Sequence, residues 1–316
     1  MRTSTTLAGI ALSVFVLRAS AAEPGGADSA TPVLWKGVEV VTNDFAAIPR
    51  IREATPIAPG ALLSLSDPKL RIACDAVRGK FPSSRIVCTN SIEPTKGGPP
   101  QAWYVVEVDI PERAPLRCLP GARLDPALGA LAREWSDTIG RAVAAGADVR
   151  ERLNDRDYLD YERADLSTLA ARLHGATRGR AVELEAASVS CNPQDRAASF
   201  NLMSFSGDAQ AFITMAATHI NDEVDGVASA AARFLVLFAE FIEPRTVPHI
   251  ASEACKSVLS GNFAARQKSL NLLNELSETG MLPFEQLTSD CQGQIRNIAR
   301  TSLALSAREL VSGLPR

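Results

Sequence analysis

In residues 102–110, Tyr104, Val106, Val108 and Ile110 fall on one side of the chain and Trp103, Val105, Glu107 and Asp109 on the other. That period of two predicts a half-buried strand. Residues 85–92 predict a second, with Ile86 and Cys88 on one side, and Val38, Val40 and Val41 suit a third that ends at Thr42 and Asn43. Two helices are predicted between the third strand and the other two. Asp44 can cap one that begins at Phe45, kept short by Pro49, with Ile48 and Ile51 facing the core. Ser66, Asp67 and Pro68 form a helix start, after which Leu70, Ala73, Cys74, Val77 and Phe81 recur at helical spacing. Residues 55–60 are a Pro/Gly break, and 93–101 read as the hairpin loop between the last two strands. Residues 34–110 therefore read as a small strand–helix–helix–strand–strand domain.

After a Pro-rich linker at 111–126, which carries Cys118, the period changes to that of helices, and 127–316 read as an all-α domain. Leu128, Leu131, Trp135 and Ile139 form one stripe, which makes Trp135 a core residue rather than a ligand platform. Residues 151–165 hold six acidic and three basic side chains. Asp155, Asp157 and Asp160 have only part of the spacing of a calcium loop, and the turn glycine is missing, so the stretch reads as a solvated connection with helix caps, pinned by Tyr158 and Tyr161. From Leu166 onward the helices come in pairs. Segments 196–203, 228–235 and 266–273 align without gaps, with small or apolar residues at the fourth, fifth, seventh and eighth places and Asn201, Arg233 and Asn271 at the sixth. Residues 227–242 (VASAAARFLVLFAEFI) are the most apolar stretch after the N-terminus. They are too short, and too interrupted by Arg233 and Glu240, for a bilayer span of about 20 apolar residues. They are also too apolar all round for a surface helix, so neighbouring helices are expected to bury them.

Residues 1–22 read as a secretory signal peptide: Arg2, an apolar run at 7–17, then small residues at Ala19-Ser20-Ala21 or Ser20-Ala21-Ala22 for cleavage. Residues 23–33 read as a disordered polar leader. A hydrophobic share of 46% against 22% charged is enough to bury more than one core. A net charge of −3 argues against a nucleic-acid partner. Six cysteines, Cys74, Cys88, Cys118, Cys191, Cys255 and Cys291, lie beyond the signal, even in number and without a CxxC pair. In an exported protein that reads as three disulfides, and a periplasmic or secreted location follows. Wide spacing and only three histidines argue against zinc.

Two stretches resemble known families. The sequences VEVVTNDF at 38–45, IAPGALLS at 57–64, FPSSRIVC at 81–88 and AWYVVEVDI at 102–110 give 34–110 the shape of a POTRA domain, the polypeptide-transport-associated module of bacterial envelope proteins. That resemblance implies binding of other polypeptides, often by lending a sheet edge to an incoming strand. In the POTRA-like reading Cys74 lies on the core face of the second helix and Cys88 on the inward face of the next strand, so the two can pair. The three aligned segments, spaced 32 and 38 residues apart, resemble HEAT repeats over 166–311 and imply a helical solenoid. An ordinary helical bundle is the alternative. Stacked repeats can bring Cys255 to Cys291, which leaves Cys118 with Cys191, although six cysteines allow fifteen connectivities. The expected fold is thus α+β: a POTRA-like domain followed by a HEAT-like α solenoid.

No catalytic constellation stands out. His174 lies at a helix end, His219 in an apolar helix and His249 at a helix start, and none has a neighbouring motif of known meaning. No catalytic, cofactor or metal residue is therefore expected. The expectation is a non-catalytic exported envelope protein that binds a protein or peptide partner as a scaffold or assembly accessory, with no integral membrane segment once the signal is removed. Trp103, Asn201, Arg233 and Asn271 are the candidate interaction residues. The alternative is a lyase- or hydrolase-like enzyme on helical repeats, since the HEAT superfamily includes chromophore lyases. That alternative requires a pocket with polar groups converging on one of the histidines.

Overall fold

The structure is a computed structural model, described here for residues 32–93, 101–111, 117–145, 147 and 149–302. The signal, residues 23–31 of the leader, most of the 93–101 hairpin loop and residues 303–316 fall outside these; the last two leader positions, Pro32 and Val33, are not disordered but begin the first strand. The chain is α+β: a four-stranded sheet with two helices near the N-terminus, then a mainly helical part.

Strand β1 (Pro32–Val41) is followed by a 3-10 turn that Asp44 caps by accepting the Ala46 N–H. Helix α1 (Ile48–Ala54) continues from it, with Pro49 tolerated in its first turn. Helix α2 (Pro68–Lys80) is capped by Asp67, as its sequence predicts, and buries Leu70, Ala73, Cys74 and Val77. Strands β3 (Ile86–Glu93) and β4 (Gln101–Val108) complete the expected order. One short strand was not expected. The break at 55–60 leads into β2 (Leu62–Ser64), which pairs with the start of β1. Sheet order is β2-β1-β4-β3, with β1 parallel to β4 and the outer pairs antiparallel. A register shift between Trp35 and Gly37 marks a bulge in β1, where Gly37 takes φ +129°, a conformation side chains resist.

Helices α1 and α2 cover one face of the sheet. Trp35 and Tyr104 meet edge to face there at 6.2 Å, and the Tyr104 hydroxyl donates to Leu70 O at 2.6 Å. The other face departs from the expectation. Strand β4 is not half-buried: Trp103, Val105 and Glu107 are 7%, 0% and 8% exposed. They are covered from the helical part, where Phe263 packs with Val41, Trp103 and Val105. A strand buried on both faces still alternates here, because its second face meets polar and charged groups of the covering helix.

The helical part begins with α3 (Pro126–Ala144), whose Leu128, Trp135 and Ile139 are buried, Trp135 donating to the Tyr161 hydroxyl at 2.9 Å. The acidic stretch is not a simple capped connection. It forms a hairpin of β5 (Glu151–Leu153) and β6 (Leu159–Tyr161), in which Asp160 is buried and paired with Arg152. Tyr158 and Tyr161 are buried, and Arg163 precedes the next helix without a side-chain cap. There follow α4 (Ala164–Thr177), α5 (Ala181–Ser188), α6 (Pro193–Met203), α7 (Ala209–His219), α8 (Asp225–Leu237), α9 (Val247–Ser260), α10 (Phe263–Glu278) and α11 (Ser289–Thr301). From α5 to α10 each helix packs on its successor in pairs, α5 on α6, α7 on α8 and α9 on α10. Two rows result, α5–α7–α9–α11 and α6–α8–α10.

The three aligned segments lie on α6, α8 and α10. Every one of their twelve matched small or apolar positions is at most 1% exposed. The apolar stretch at 227–242 is shorter as a helix than its hydropathy suggests. It is α8 to Leu237, then a 3-10 turn at Ala239–Phe241. It is nonetheless the central helix of its row, and Phe200, Phe212, Phe234 and Phe238 stack through it.

Three disulfides form, Cys74–Cys88, Cys118–Cys191 and Cys255–Cys291. They suit an oxidising compartment. Among the described residues no helix is long and apolar enough to cross a membrane. Phe234→Ala should destabilise the protein by about 3–5 kcal/mol in denaturant unfolding, because it empties the aromatic stack at a site with no solvent to refill it.

Candidate functional site

The expected interaction residues do not assemble into one surface. Trp103 is enclosed in the seam between sheet and α10, its indole N–H without a partner. Arg233 lies over the Phe234 ring and pairs with Glu151 of β5 at 3.3 Å. Asn201 and Asn271 are half-buried on α6 and α10. Among the described residues no hydrogen bond or ion pair joins any two of these four. Asp155 and Asp157 are exposed, and no group of acidic, histidine or cysteine side chains among the described residues is arranged to hold a metal.

Two of the three histidines form no cluster with other reactive side chains among the described residues. His174 stacks on Tyr158 at 4.1 Å, with Nδ1 2.8 Å from Phe205 O. His249 is exposed near the start of α9. His219 differs from both. It ends α7, is 1% exposed, and its Nδ1 lies 2.9 Å from Asp222 Oδ2 in the turn to α8. On its other side Nε2 lies 3.3 Å from the hydroxyl of Ser188, the last residue of α5.

Local rules set each position. Asp222 accepts the Val224 N–H at 2.7 Å just before α8 and donates its own N–H to His219 O, so the carboxylate is held three residues beyond the imidazole. Ser188 reaches the same point because α5 packs against α7. Behind the carboxylate lies Arg196 in the first turn of α6, 2% exposed. Its Nη1 donates to Ser190 O at 2.8 Å, its Nη2 binds Glu223, and its Nε lies 3.5 Å from Asp222 Oδ2.

Asp222 is fully buried, which on its own would raise its pKa. The hydrogen bonds from His219 and the Val224 N–H, with the charge of Arg196, outweigh burial and hold the carboxyl below its ordinary 3.8. An ionised Asp222 keeps a proton on His219 Nδ1 and orients the ring. Nε2 then faces Ser188 Oγ, which also lies 2.7 Å from Glu185 O. One hydroxyl proton serves either Nε2 or that carbonyl at a given moment.

Ser188 and His219 line an open cleft of about 570 Å³ between α5 and α7, within the range of small-molecule sites of roughly 300–1,000 Å³. Val182, Ala186, Val189 and Met215 supply apolar walls, while Arg117 and Glu185 supply one charge of each sign. Arg117 adjoins Cys118, which the bridge to Cys191 fixes beside the end of α5, and Leu119 donates its N–H to Val189 O at 2.8 Å. The sequence contained one signal of this arrangement, a histidine and an aspartate three residues apart in a turn. Ser188, 31 residues earlier, carries none.

The second feature is an edge. Strand β3 pairs with β4 along its whole length, and among the described residues no strand pairs with its outer side. The opposite end of the sheet is closed at β1 by β2 and by Gly60 and Ala61, which exchange backbone hydrogen bonds with Trp35.

The chain matches no protein-family model, no curated protein and no solved structure at a significant level.

Asp222→Asn should lower stability by about 1–3 kcal/mol at pH 7, since it removes one of the two carboxylates that face buried Arg196 and leaves Glu223 as the other. A depressed carboxyl stabilises the fold above its unfolded value and loses that contribution as pH falls through its folded value. The gap between wild type and variant, measured by thermal unfolding, should be flat at pH 5–8 and shrink below about pH 4.

Proposed function

We propose that this is an exported envelope protein that binds other polypeptides as a scaffold or assembly accessory, with no bond made or broken in the binding itself. The open outer side of β3 carries the reading. An eight-residue strand with no strand on its outer side among the described residues is a template for an added strand. The Cys74–Cys88 bridge ties β3 to α2, so the edge is presented in a fixed position. In this reading the sheet and its two helices are a POTRA-like module. The paired helices α5–α10 are three HEAT-like repeats, a view supported by the matched burial of the aligned segments on α6, α8 and α10. The apolar run at residues 7–17 and the three disulfides support export to the periplasm or beyond.

Sheet and helical part share a buried seam, so the test uses the whole chain. Of the neighbours Thr89 and Asn90, one N–H faces β4 and the other faces outward. Proline at the outward position removes only an edge donor and should leave the melting temperature nearly unchanged. Affinity capture from the envelope fraction should then lose the polypeptides that wild type retains. Equal capture by a folded proline variant would show that the edge is not the binding site.

A further inference from the structure

The α5–α7 cleft lies apart from the β3 edge, and its chemistry does not depend on how the edge is used. Its lining includes a hydroxyl and an imidazole, with a carboxylate behind them: Ser188 Oγ lies 3.3 Å from His219 Nε2, and His219 Nδ1 lies 2.9 Å from Asp222 Oδ2. The nucleophile–base–orienter relationship is recognised by roles and geometry rather than by order or fold. Here all three are buried, Ser188 at 2%, His219 at 1% and Asp222 at 0% exposed; Ser188 and His219 belong to the cleft lining, and the carboxylate lies behind them beside Arg196.

We propose that Ser188, His219 and Asp222 act as nucleophile, general base and orienting group, and that the cleft hydrolyses carboxylic esters with a short apolar acyl group. The acyl group is specified by the walls of Val182, Ala186, Val189 and Met215. Arg117, the cation in the lining, is the group available to the negative charge that develops on the carbonyl oxygen.

In the first half-reaction Ser188 Oγ forms a bond to the acyl carbon and its proton passes to His219 Nε2. The bond from acyl carbon to the alcohol oxygen breaks, and His219 returns that proton to the departing alkoxide. In the second half, water gives a proton to His219 Nε2 as its oxygen bonds to the acyl carbon. The bond to Ser188 Oγ breaks, Ser188 takes the proton back, and the carboxylic acid leaves. No further reactant is needed. Asp222 acts through His219 and keeps its charge throughout.

The experiment uses the full chain with a fluorophosphonate probe, peptide mass mapping of the adduct, and p-nitrophenyl butyrate as the ester. A single adduct on Ser188 is expected, together with ester turnover that falls about 100-fold or more in Ser188→Ala and in His219→Gln. Thermal unfolding of Ser188→Ala should stay close to wild type. No adduct on Ser188 in the folded wild-type chain would overturn the proposal. So would an adduct on a different serine, or unchanged turnover in Ser188→Ala. The adduct is read on wild type, so the test stands even if a variant fails to fold. Turnover that survives the β3 proline variant separates this site from the edge.

Discussion

The position of the sheet rests on buried charge at the start of α10. Glu107 of β4 accepts the Phe263 N–H at 2.9 Å, satisfying one of the donors that every helix leaves open in its first turn. One turn on, Arg266 is 4% exposed and donates to Thr42 O and the Asn43 side chain beyond the end of β1. Burial pulls its pKa down to about 10, while the charges of Glu107 and Glu39 act in the opposite direction. Ions removed from water are tolerated only where hydrogen bonds and opposite charges surround them. Relative sliding of sheet and helix would strand these groups, so the seam has one register. Arg52 extends the attachment by donating to both Val38 O and Thr301 O at the end of α11. With β4 clamped from both faces and β1 flanked by the short β2, β3 is left as the long edge strand among the described residues.

Much of the architecture could be read from the residues, because it follows from local rules. Asp44 and Asp67 cap where short polar side chains before a helix should, and Pro49 and Pro68 sit in first turns. The aligned small and apolar positions of 196–203, 228–235 and 266–273 mark three helices that are buried alike. What escaped was decided at a distance. Trp103 and Glu107 look like a solvent-facing row until Phe263, more than 150 residues later, covers them. The hairpin of β5 and β6 was hidden by its charge, since Asp160 is acceptable in a buried position only once Arg152 lies opposite. The cleft escaped for the same reason. His219 and Asp222 are neighbours in sequence, but Ser188 is brought to them only by the packing of α5 on α7.

The two buried arginines that begin the first and third aligned segments share a task. Arg196 and Arg266 each reach from the first turn of a helix in the α6–α8–α10 row to a backbone carbonyl a few residues before that helix, Ser190 O and Leu259 O. The equivalent position on α8 is Ala228, which is equally buried but has no charge to satisfy. The charged positions are thus at the two ends of the row and the purely apolar one is in the middle. At one end the guanidinium holds the carboxylate behind the cleft. At the other it holds the sheet.

The disulfides have a mechanical meaning as well as a thermodynamic one. They close spans of 73, 36 and 14 residues. A chain pulled from its ends carries tension through covalent bonds, and each bridge short-circuits the span it closes. From Cys118 the load passes directly to Cys191, so α3, the β5–β6 hairpin, α4 and α5 lie off the force path. The β3 edge is partly shielded in the same way, because Cys74–Cys88 takes up the load between α2 and the strand. Ser188, on the wall of the cleft, lies inside the largest unloaded loop, whereas His219 and Asp222 lie outside it. Under load the first of these would keep its local structure while the other two felt the pull, and the contact between α5 and α7 is where the difference would be taken up.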